Sequence, residues 1–334
     1  MWLVGIVVCL GWIFSLCLHE FSHALVAYWG GDTSVKNKGY LTFNLLKYTD
    51  PGYSIILPLL FLFIGGIGLP GGAVYIHQHR LRNRWWKSAV SAAGPLANIL
   101  LALLLSIPFW IYAESISAIP DSIDRSSFLL SSLAFVVYLQ VFAAIFNLLP
   151  IPGLDGYGII EFWLPIYIQT QGKYIRKYST LIIIGLFWYA PWFNILIFRA
   201  IRFFTSQILR VPEFLVDDGS SLFRQPINKA IALSILMMIG WGLSSPKNTW
   251  NQNQKGQILI KKKQYQAAIA IFNRSIEIDP DSEEAWSQKA YCLWCLNLED
   301  RAIESFRKVL EIDPDNEYAQ MSIGKIYFVH EEYH

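Results

Sequence analysis

Charged residues are scarce in this chain of 334 amino acids: Asp, Glu, Lys and Arg make up 16% of it, whereas apolar residues make up 54%. Soluble globular domains carry about 25% charged residues, so the deficit argues against a soluble protein and indicates a lipid environment. The charges that are present are dense after Gln252 and sparse before Pro246. We therefore expect a membrane region followed by a water-exposed region.

Strong net charge and a cysteine framework are also lacking. The formal net charge is only +2, so nothing indicates a nucleic-acid partner. The four cysteines (Cys9 and Cys17 in the first apolar run, Cys292 and Cys295 near the other end) do not resemble the disulfide pattern of a secreted domain. Residues 1–18 lack the basic start and the A-x-A-like cleavage site of a signal peptide. We interpret them as part of a retained membrane helix.

Long apolar runs dominate the first three quarters of the chain. A helix that crosses the hydrocarbon core needs about 20 mostly apolar residues. Five runs are candidates: 2–27, 90–113, 128–149, 181–204, which Pro191 could divide into two halves, and the shorter 227–242. Residues 53–69 end in a glycine-rich stretch that predicts a re-entrant segment, and residues 40–45 are β-prone.

The loops between these runs differ in charge. One connector carries Arg80, Arg82, Arg84 and Lys87, whereas residues 114–125 are mainly acidic. Because cytoplasmic connectors collect Lys and Arg, we expect the basic connector inside the cell and the acidic one outside. One further crossing outwards and one back through residues 227–242 would place the C-terminal region in the cytoplasm.

A sequence repeat occupies the C-terminal region. Pro280 and Pro314 hold equivalent positions in it, and the segments that precede them align without gaps. Ala268 matches Ala302, and Phe272 matches Phe306. The period is that of tetratricopeptide repeats, about 34 residues, and the resemblance covers about residues 250–334, as two units and a truncated third. It implies paired helices and a protein or peptide partner.

The first apolar run ends in a motif that can bind metal. In His19-Glu20-Phe21-Ser22-His23 the two histidines are one helical turn apart, so both imidazoles can reach one ion, and Glu20 can take a proton from a metal-bound water. Ionisable residues in a spanning helix are functional candidates. The other interpretation is that the helix simply ends here, with these side chains reaching the membrane surface.

A zinc ion with two histidines needs a third protein ligand and an open position for water. Asp155 is the only carboxylate between Arg125 and Glu161, and it follows a turn that contains two prolines and a glycine. It is therefore a candidate ligand. The other interpretation is that Asp155 caps the helix that follows.

Three motifs together resemble the site-2 protease family of intramembrane zinc metalloproteases. They are His19-Glu20-x-x-His23, Gly94-x-x-x-Asn98, and Asn147-x-x-Pro150-x-x-x-Leu154-Asp155-Gly156, and the resemblance covers about residues 1–205. It implies one zinc ion per chain held by His19, His23 and Asp155, with Glu20 as general base. Asn98 and Asn147 would have secondary roles in orienting the substrate or a ligand. The PDZ-like domain inserted in some family members is absent from this sequence.

The sequence thus predicts an all-α polytopic membrane protein with about five spans, a re-entrant segment, a short β element and a C-terminal α-helical repeat domain. Residues 1–205 would form the protease core, 206–248 a connector with the last span, and 249–334 the repeats. The expected function is cleavage of peptide bonds within or near transmembrane segments of membrane-anchored proteins in regulated intramembrane proteolysis. The alternative is a catalytically silent membrane scaffold that recruits partners through its repeats. The intact Glu20 favours the protease.

Overall fold

The computed structural model of the chain describes residues 2–37, 39–43, 74, 76–111, 125–243, 249–314 and 316–332. Within these ranges all regular secondary structure is helical. The backbone divides into two compact units, Met1–Ile239 and Gly240–His334.

The first unit contains helices of very different lengths. The long ones are α1 (Trp2–Gly30), α3 (Arg84–Ile111) and α4 (Arg125–Asn147). The others are α2 (Ser34–Asn37), a 3-10 turn (Gln78–Arg80), α5 (Asp155–Glu161), α6 (Ile166–Arg176), α7 (Ser179–Tyr189), α8 (Pro191–Arg202), a π-helical turn (Phe203–Ile208), α9 (Glu213–Phe223) and α10 (Pro226–Leu243).

Three helices are long and apolar enough to cross a membrane. They are Leu3–Gly30, Arg84–Ile111 and Phe128–Asn147, and they correspond to the first three predicted spans. The fourth predicted span is bent by 94° between Leu181–Tyr189 and Pro191–Ile208, so it counts as a span only if the bent pair is taken as one. Proline cannot continue the hydrogen bonding of the preceding turn, which explains a break at Pro191. Among the described residues the model thus supports three or four spans; the fifth is not confirmed.

Helices α1, α3 and α4 form the centre of the first unit. Helix α4 runs parallel to α1: Gly11 lies against Val136, and one turn further along both helices Ser15 donates a hydrogen bond to Gln140. Helix α3 runs antiparallel to α1, because the Arg82 amide just before α3 donates to the Gly30 carbonyl (3.0 Å) at the end of α1. The end of α1, the start of α3 and the end of α4 therefore meet at one end of the three helices.

The apolar core lies between these helices and extends to α8 and α9. Each of the five helices contributes fully buried side chains to it, among them Val4, Phe109, Phe135, Ile201 and Leu215. Many other apolar side chains on the same helices are exposed, among them Leu10, Leu100, Leu104 and Trp110. Exposed apolar side chains on long helices are expected where lipid replaces water as the solvent.

The predicted β element and re-entrant segment fall mostly outside the described residues. Residues 40–43 form bends without a strand, and residues 44–50 and 53–69 are not described. The described residues on either side are held together at one end of α1. The buried Asp32 carboxylate accepts hydrogen bonds from the Ser34 hydroxyl (2.6 Å) and from the His77 backbone amide (2.8 Å).

The second unit is built from helices that recur with the period of the sequence repeat. Helices α11 (Thr249–Lys261), α13 (Glu283–Cys295) and α15 (Glu317–Glu332) begin one period apart, as do α12 (Tyr265–Ile278) and α14 (Glu299–Ile312). The repeated residues Ala268, Ala302, Phe272 and Phe306 are all completely buried. A Cβ atom at Gly256 would lie 2.4 Å from the Phe272 ring. The small residues therefore permit the close approach of paired helices that the sequence predicted.

Candidate metal centre

The two histidines of the first motif lie on one face of α1, in the interior of the first unit (Met1–Ile239), which contains the spanning helices and is called the membrane unit below. His19, Glu20 and His23 are each less than a tenth exposed. The Nε2 atoms of His19 and His23 are 3.1 Å apart. This is the arrangement that a helical spacing of four residues favours, because such residues are neighbours on the helix surface.

Asp155 reaches these histidines from a distant part of the chain. Its carboxylate oxygens lie 3.1 Å from His19 Nε2 and 3.4 Å from His23 Nε2. Asp155 occupies the first turn of α5, whose N-cap is Leu154 with no side-chain hydrogen bond. The carboxylate thus faces the imidazoles and does not act as the N-cap.

Glycines let the Asp155 turn approach the other helices closely. A Cβ atom at Gly156 would lie 2.1 Å from the Leu148 carbonyl oxygen, and one at Gly158 would lie 2.4 Å from Ser91 Oγ on α3. Gly153 has a φ of +105°, a conformation that favours glycine. These three positions explain how the chain turns back after α4 and presents Asp155 to α1.

Gly94 of α3 borders the space between the three ligand candidates. A Cβ atom there would lie 2.4 Å from His23 Nε2 and 2.5 Å from His19 Nε2. Any larger residue would therefore displace the imidazoles. The sequence motif contained this glycine, but its packing against both rings was not predicted.

The hydrogen bonds of both imidazoles fix which nitrogen carries the proton. His23 Nδ1 lies 2.6 Å from the Val90 carbonyl oxygen, and His19 Nδ1 lies 2.6 Å from Asn98 Oδ1. Because a carbonyl oxygen can only accept, Nδ1 must be the donor in both rings. In the neutral rings the lone pairs of Nε2 then point towards Asp155, which is the state in which imidazole binds metal.

Asn98 is itself held by two buried side chains that the sequence analysis did not single out. Its Nδ2 donates to Ser15 Oγ and to Gln140 Oε1, both at 2.9 Å, and Ser15 donates to Gln140. One signal in the sequence could have revealed Gln140: it is a polar residue in the middle of a predicted span.

The other two predicted residues have different surroundings. The Glu20 carboxylate lies close enough to His19, His23 and Asp155 to interact with their charges. It also accepts a hydrogen bond from the backbone amide of Val74. Asn147 is half-buried in the last turn of α4, and among the described residues its side chain does not join this hydrogen-bond network.

The three ligand candidates have spacings that suit one small cation. Their donor atoms all lie within 4.8 Å of one another, and they form the sole such group among the residues that the structure describes. Zinc binds nitrogen and oxygen at about 2.0–2.2 Å in a tetrahedron, so its ligand atoms are roughly 3.3–3.5 Å apart. The observed distances of 3.1 Å and 3.4 Å are close to that range.

Comparison with protein families identifies both units. The sequence profile of the family described as "Peptidase family M50" matches residues 7–189, which is more than half of the chain. The chain belongs to peptidase family M50, the site-2 protease family. A tetratricopeptide repeat model matches residues 259–326. The M50 member described here therefore carries a helical repeat region of the kind that mediates protein interactions, as the sequence predicted.

Its curated relatives bear zinc metalloprotease names. A protein of Mycolicibacterium smegmatis named "Putative zinc metalloprotease Rip2" is 42% identical over 66% of this chain and 81% of its own length. The Mycobacterium tuberculosis protein of the same name is 38% identical over 66% and 81%. The "Putative zinc metalloprotease YwhC" of Bacillus subtilis is 33% identical over 52% and 77%. No solved structure matches the chain significantly. The chain is thus a zinc metalloprotease and a membrane protein.

Among the residues that the structure describes, Cys292 and Cys295 belong to no group of three or more metal-binding side chains. Cys292 is completely buried, and burial together with the neighbouring Cys295 raises the pKa of its thiol to about 12. A thiol must lose its proton to bind metal or to act as a nucleophile. Cys292 packs with Ala268 and Phe272 in the core of the repeat helices.

Proposed function

We propose that this M50 protein cleaves peptide bonds within or near transmembrane segments of membrane-anchored proteins, in regulated intramembrane proteolysis. One observation carries the proposal. The Nε2 atoms of His19 and His23 and the carboxylate of Asp155 converge beside the buried Glu20. The two histidines and Glu20 belong to a helix long and apolar enough to span a membrane.

One zinc ion per chain fits these residues. The distances between the ligand atoms are close to those of a zinc tetrahedron, both Nε2 atoms are available as lone-pair donors, and Gly94 leaves the space open. Three protein ligands leave a fourth position for water or substrate, as in other catalytic zinc sites. When bound, zinc lowers the pKa of a coordinated water and polarises a carbonyl group.

Glu20 is the proposed general base. Its carboxylate is buried beside the ligand cluster, so it can accept the proton of the attacking water and return it to the amine of the departing peptide. The Val74 backbone hydrogen bond would hold the carboxylate in place. Asn98 would act through His19, whose ring orientation and tautomer it fixes. The secondary role expected for Asn147 remains a prediction.

The substrate must be unwound before it can be cleaved. A transmembrane helix keeps its carbonyl groups in internal hydrogen bonds, because lipid offers no other partner. Local unwinding is therefore required to expose a scissile carbonyl to Glu20 and the metal centre. Substrates with glycine, proline or polar residues near the scissile bond should be cleaved faster than substrates with an uninterrupted helix.

The basic connector supports a proposal for the orientation of the protein in the membrane. Arg84 lies over the Trp163 ring (5.0 Å) and Lys87 over the Phe162 ring (4.9 Å), at the end of the helices where Asp155 lies. Basic and aromatic side chains together favour the membrane interface on the cytoplasmic side. We infer that the metal centre opens towards the cytoplasm and that the repeats, also in the cytoplasm, bind a protein or peptide partner.

Substitution of Glu20 by Gln tests the mechanism in the full-length protein. Glu20→Gln keeps the size of the side chain but removes the base, so cleavage of a model spanning peptide should fall by about 10²–10⁴-fold. Zinc content should stay at one ion per chain. Ser22→Ala is the matched control, because the Ser22 hydroxyl bonds to the Leu18 carbonyl of its own helix (2.7 Å). Equal cleavage by Glu20→Gln and wild type would refute this role, and a wild-type protein without zinc or cleavage would favour the scaffold.

A further inference from the structure

Three polar side chains from three helices bond to one another in the interior of the membrane unit. Ser15 of α1, Asn98 of α3 and Gln140 of α4 are 5%, 3% and 1% exposed. The neighbours of Gln140 on α4 include Leu139 and Val141, which belong to the apolar core. Ser, Asn and Gln side chains commonly bond to one another across spanning helices, so a functional role for these three depends on what their bonds position.

The hydrogen bonds of this group all run in one direction in the structure, from Asn98 and Ser15 towards Gln140. Both N–H groups of the Asn98 amide find acceptors, Ser15 Oγ and Gln140 Oε1, each at 2.9 Å. The Ser15 hydroxyl donates its own proton to Gln140 Oε1. An amide whose nitrogen is bound in this way must turn its oxygen to the opposite side. The Asn98 oxygen therefore faces His19 Nδ1, at 2.6 Å.

We propose that Gln140 and Ser15 are positioning residues of the metal centre. They hold the Asn98 amide so that its oxygen, and not its nitrogen, meets His19, and they thereby keep the Nε2 lone pair of His19 directed at the metal. The inference rests on the proposed function, in which His19 is a zinc ligand. With Gln140 removed, the Asn98 amide can rotate, and its N–H groups then compete with the imidazole proton for the same space.

A purely structural role for Gln140 would not need this arrangement. An apolar side chain of the same size would occupy this buried position without burying an amide. Interhelical hydrogen bonding alone would need only a single bond between two of these side chains. The Gln140 oxygen instead accepts two protons at once, from Asn98 and from Ser15. The group is therefore arranged to fix one amide orientation.

Metal affinity of the full-length protein in detergent provides the test. Zinc dissociation constants are measured for wild type, Gln140→Met, Asn98→Ala and the double variant. Loss of groups that orient metal ligands weakens binding by about 10–100-fold. Gln140 acts through Asn98, so we expect about a tenfold loss for Gln140→Met. In the Asn98→Ala background Gln140→Met should cause no further loss, because residues that act as a unit are not additive.

A matched control and a second metal separate positioning from packing. Ser132→Ala removes another buried polar group of α4, but that hydroxyl bonds to the Phe128 carbonyl of its own helix (2.6 Å), so zinc affinity should stay at the wild-type value. In the cobalt-substituted protein Gln140→Met should alter the visible absorption bands, which respond to ligand geometry, whereas Ser132→Ala should not.

The outcomes distinguish this inference from the proposed function. If His19→Ala binds zinc as tightly as wild type, the proposed function fails. If His19→Ala loses zinc but Gln140→Met binds it with wild-type affinity and spectrum, only the positioning role is overturned. Additive losses in the double variant also overturn it. If Gln140→Met does not fold, Ser15→Ala decides: a smaller loss of affinity, absent in the Asn98→Ala background, supports the inference, and unchanged affinity contradicts it.

Discussion

The membrane unit and the repeat unit use their interiors for different purposes. In the membrane unit, polar side chains from three long helices and the Asp155 turn meet in an otherwise apolar interior. In the repeat unit, the residues that fill each helix pair are alanine and phenylalanine at positions that recur once in every repeat. The first interior is organised around chemistry, and the second around packing. A substitution in one should therefore disable a function, whereas a substitution in the other should lower stability.

The largest effect on the metal centre is expected from Asp155→Asn. The amide has no negative charge to offer a cation, which leaves two imidazoles where catalytic zinc sites have three protein ligands. Zinc affinity should fall by more than the roughly 100-fold that changes around the ligands cause, and cleavage should be lost. Zinc content is measured by elemental analysis of the purified protein. Asp217→Asn, which changes an exposed carboxylate paired with Arg202, is the control, and equal zinc content in both variants would assign the third ligand elsewhere.

A smaller effect is expected from Gly94→Ala. The new Cβ atom would lie within 2.5 Å of both His19 and His23, so the rings must move apart, and we expect zinc affinity to fall by about 10–100-fold. The matched control is Gly185→Ala in α7, where a Cβ atom meets nothing within 4 Å. The same exchange there should leave zinc affinity unchanged. Wild-type affinity in Gly94→Ala would show that the ion does not occupy this space.

The smallest effect on the metal centre is expected from Phe306→Ala. Phe306 is completely buried between repeat helices, and loss of a buried phenylalanine costs about 3–5 kcal/mol. Hydrogen exchange in α14 should become faster, while zinc content stays at the wild-type level. Phe328→Ala, at an exposed position, should change neither quantity. Loss of zinc in Phe306→Ala would contradict the view that substitutions in the repeat unit affect stability and leave the metal centre unchanged.

The repeat unit could be predicted from its sequence almost completely because its information is local. Each helix pair uses the same residues at equivalent positions, so the alignment of one repeat with the next indicated both the period and the buried positions. His19, Glu20 and His23 could be predicted for the same reason, since they share one helical turn.

The remaining parts of the centre depend on contacts between distant segments. Two of the predicted spans separate His23 from Asp155 in the sequence. The need for a third ligand made Asp155 a candidate, and the resemblance to a family supported it, but no local pattern joins the two residues. Gln140 was visible in the sequence only as a polar residue within a predicted span, and its bonds with Ser15 and Asn98 depend on the packing of α1, α3 and α4. The break at Pro191 was anticipated from the proline, but its angle of 94° depends on the packing of both halves.

The parallel pairing of α1 and α4 makes the metal centre sensitive to sliding between these helices. Gly11 and Val136, then Ser15 and Gln140, meet in steps of one turn along both. A shift of α4 by a single turn, about 5.4 Å, would withdraw Gln140 from Asn98 and pull on the turn that carries Asp155. An ion held by His19, His23 and Asp155, as proposed, would join α1 to that turn and would therefore oppose such a shift. Removal of zinc should therefore lower the thermal unfolding temperature of the membrane unit, and it should also abolish cleavage.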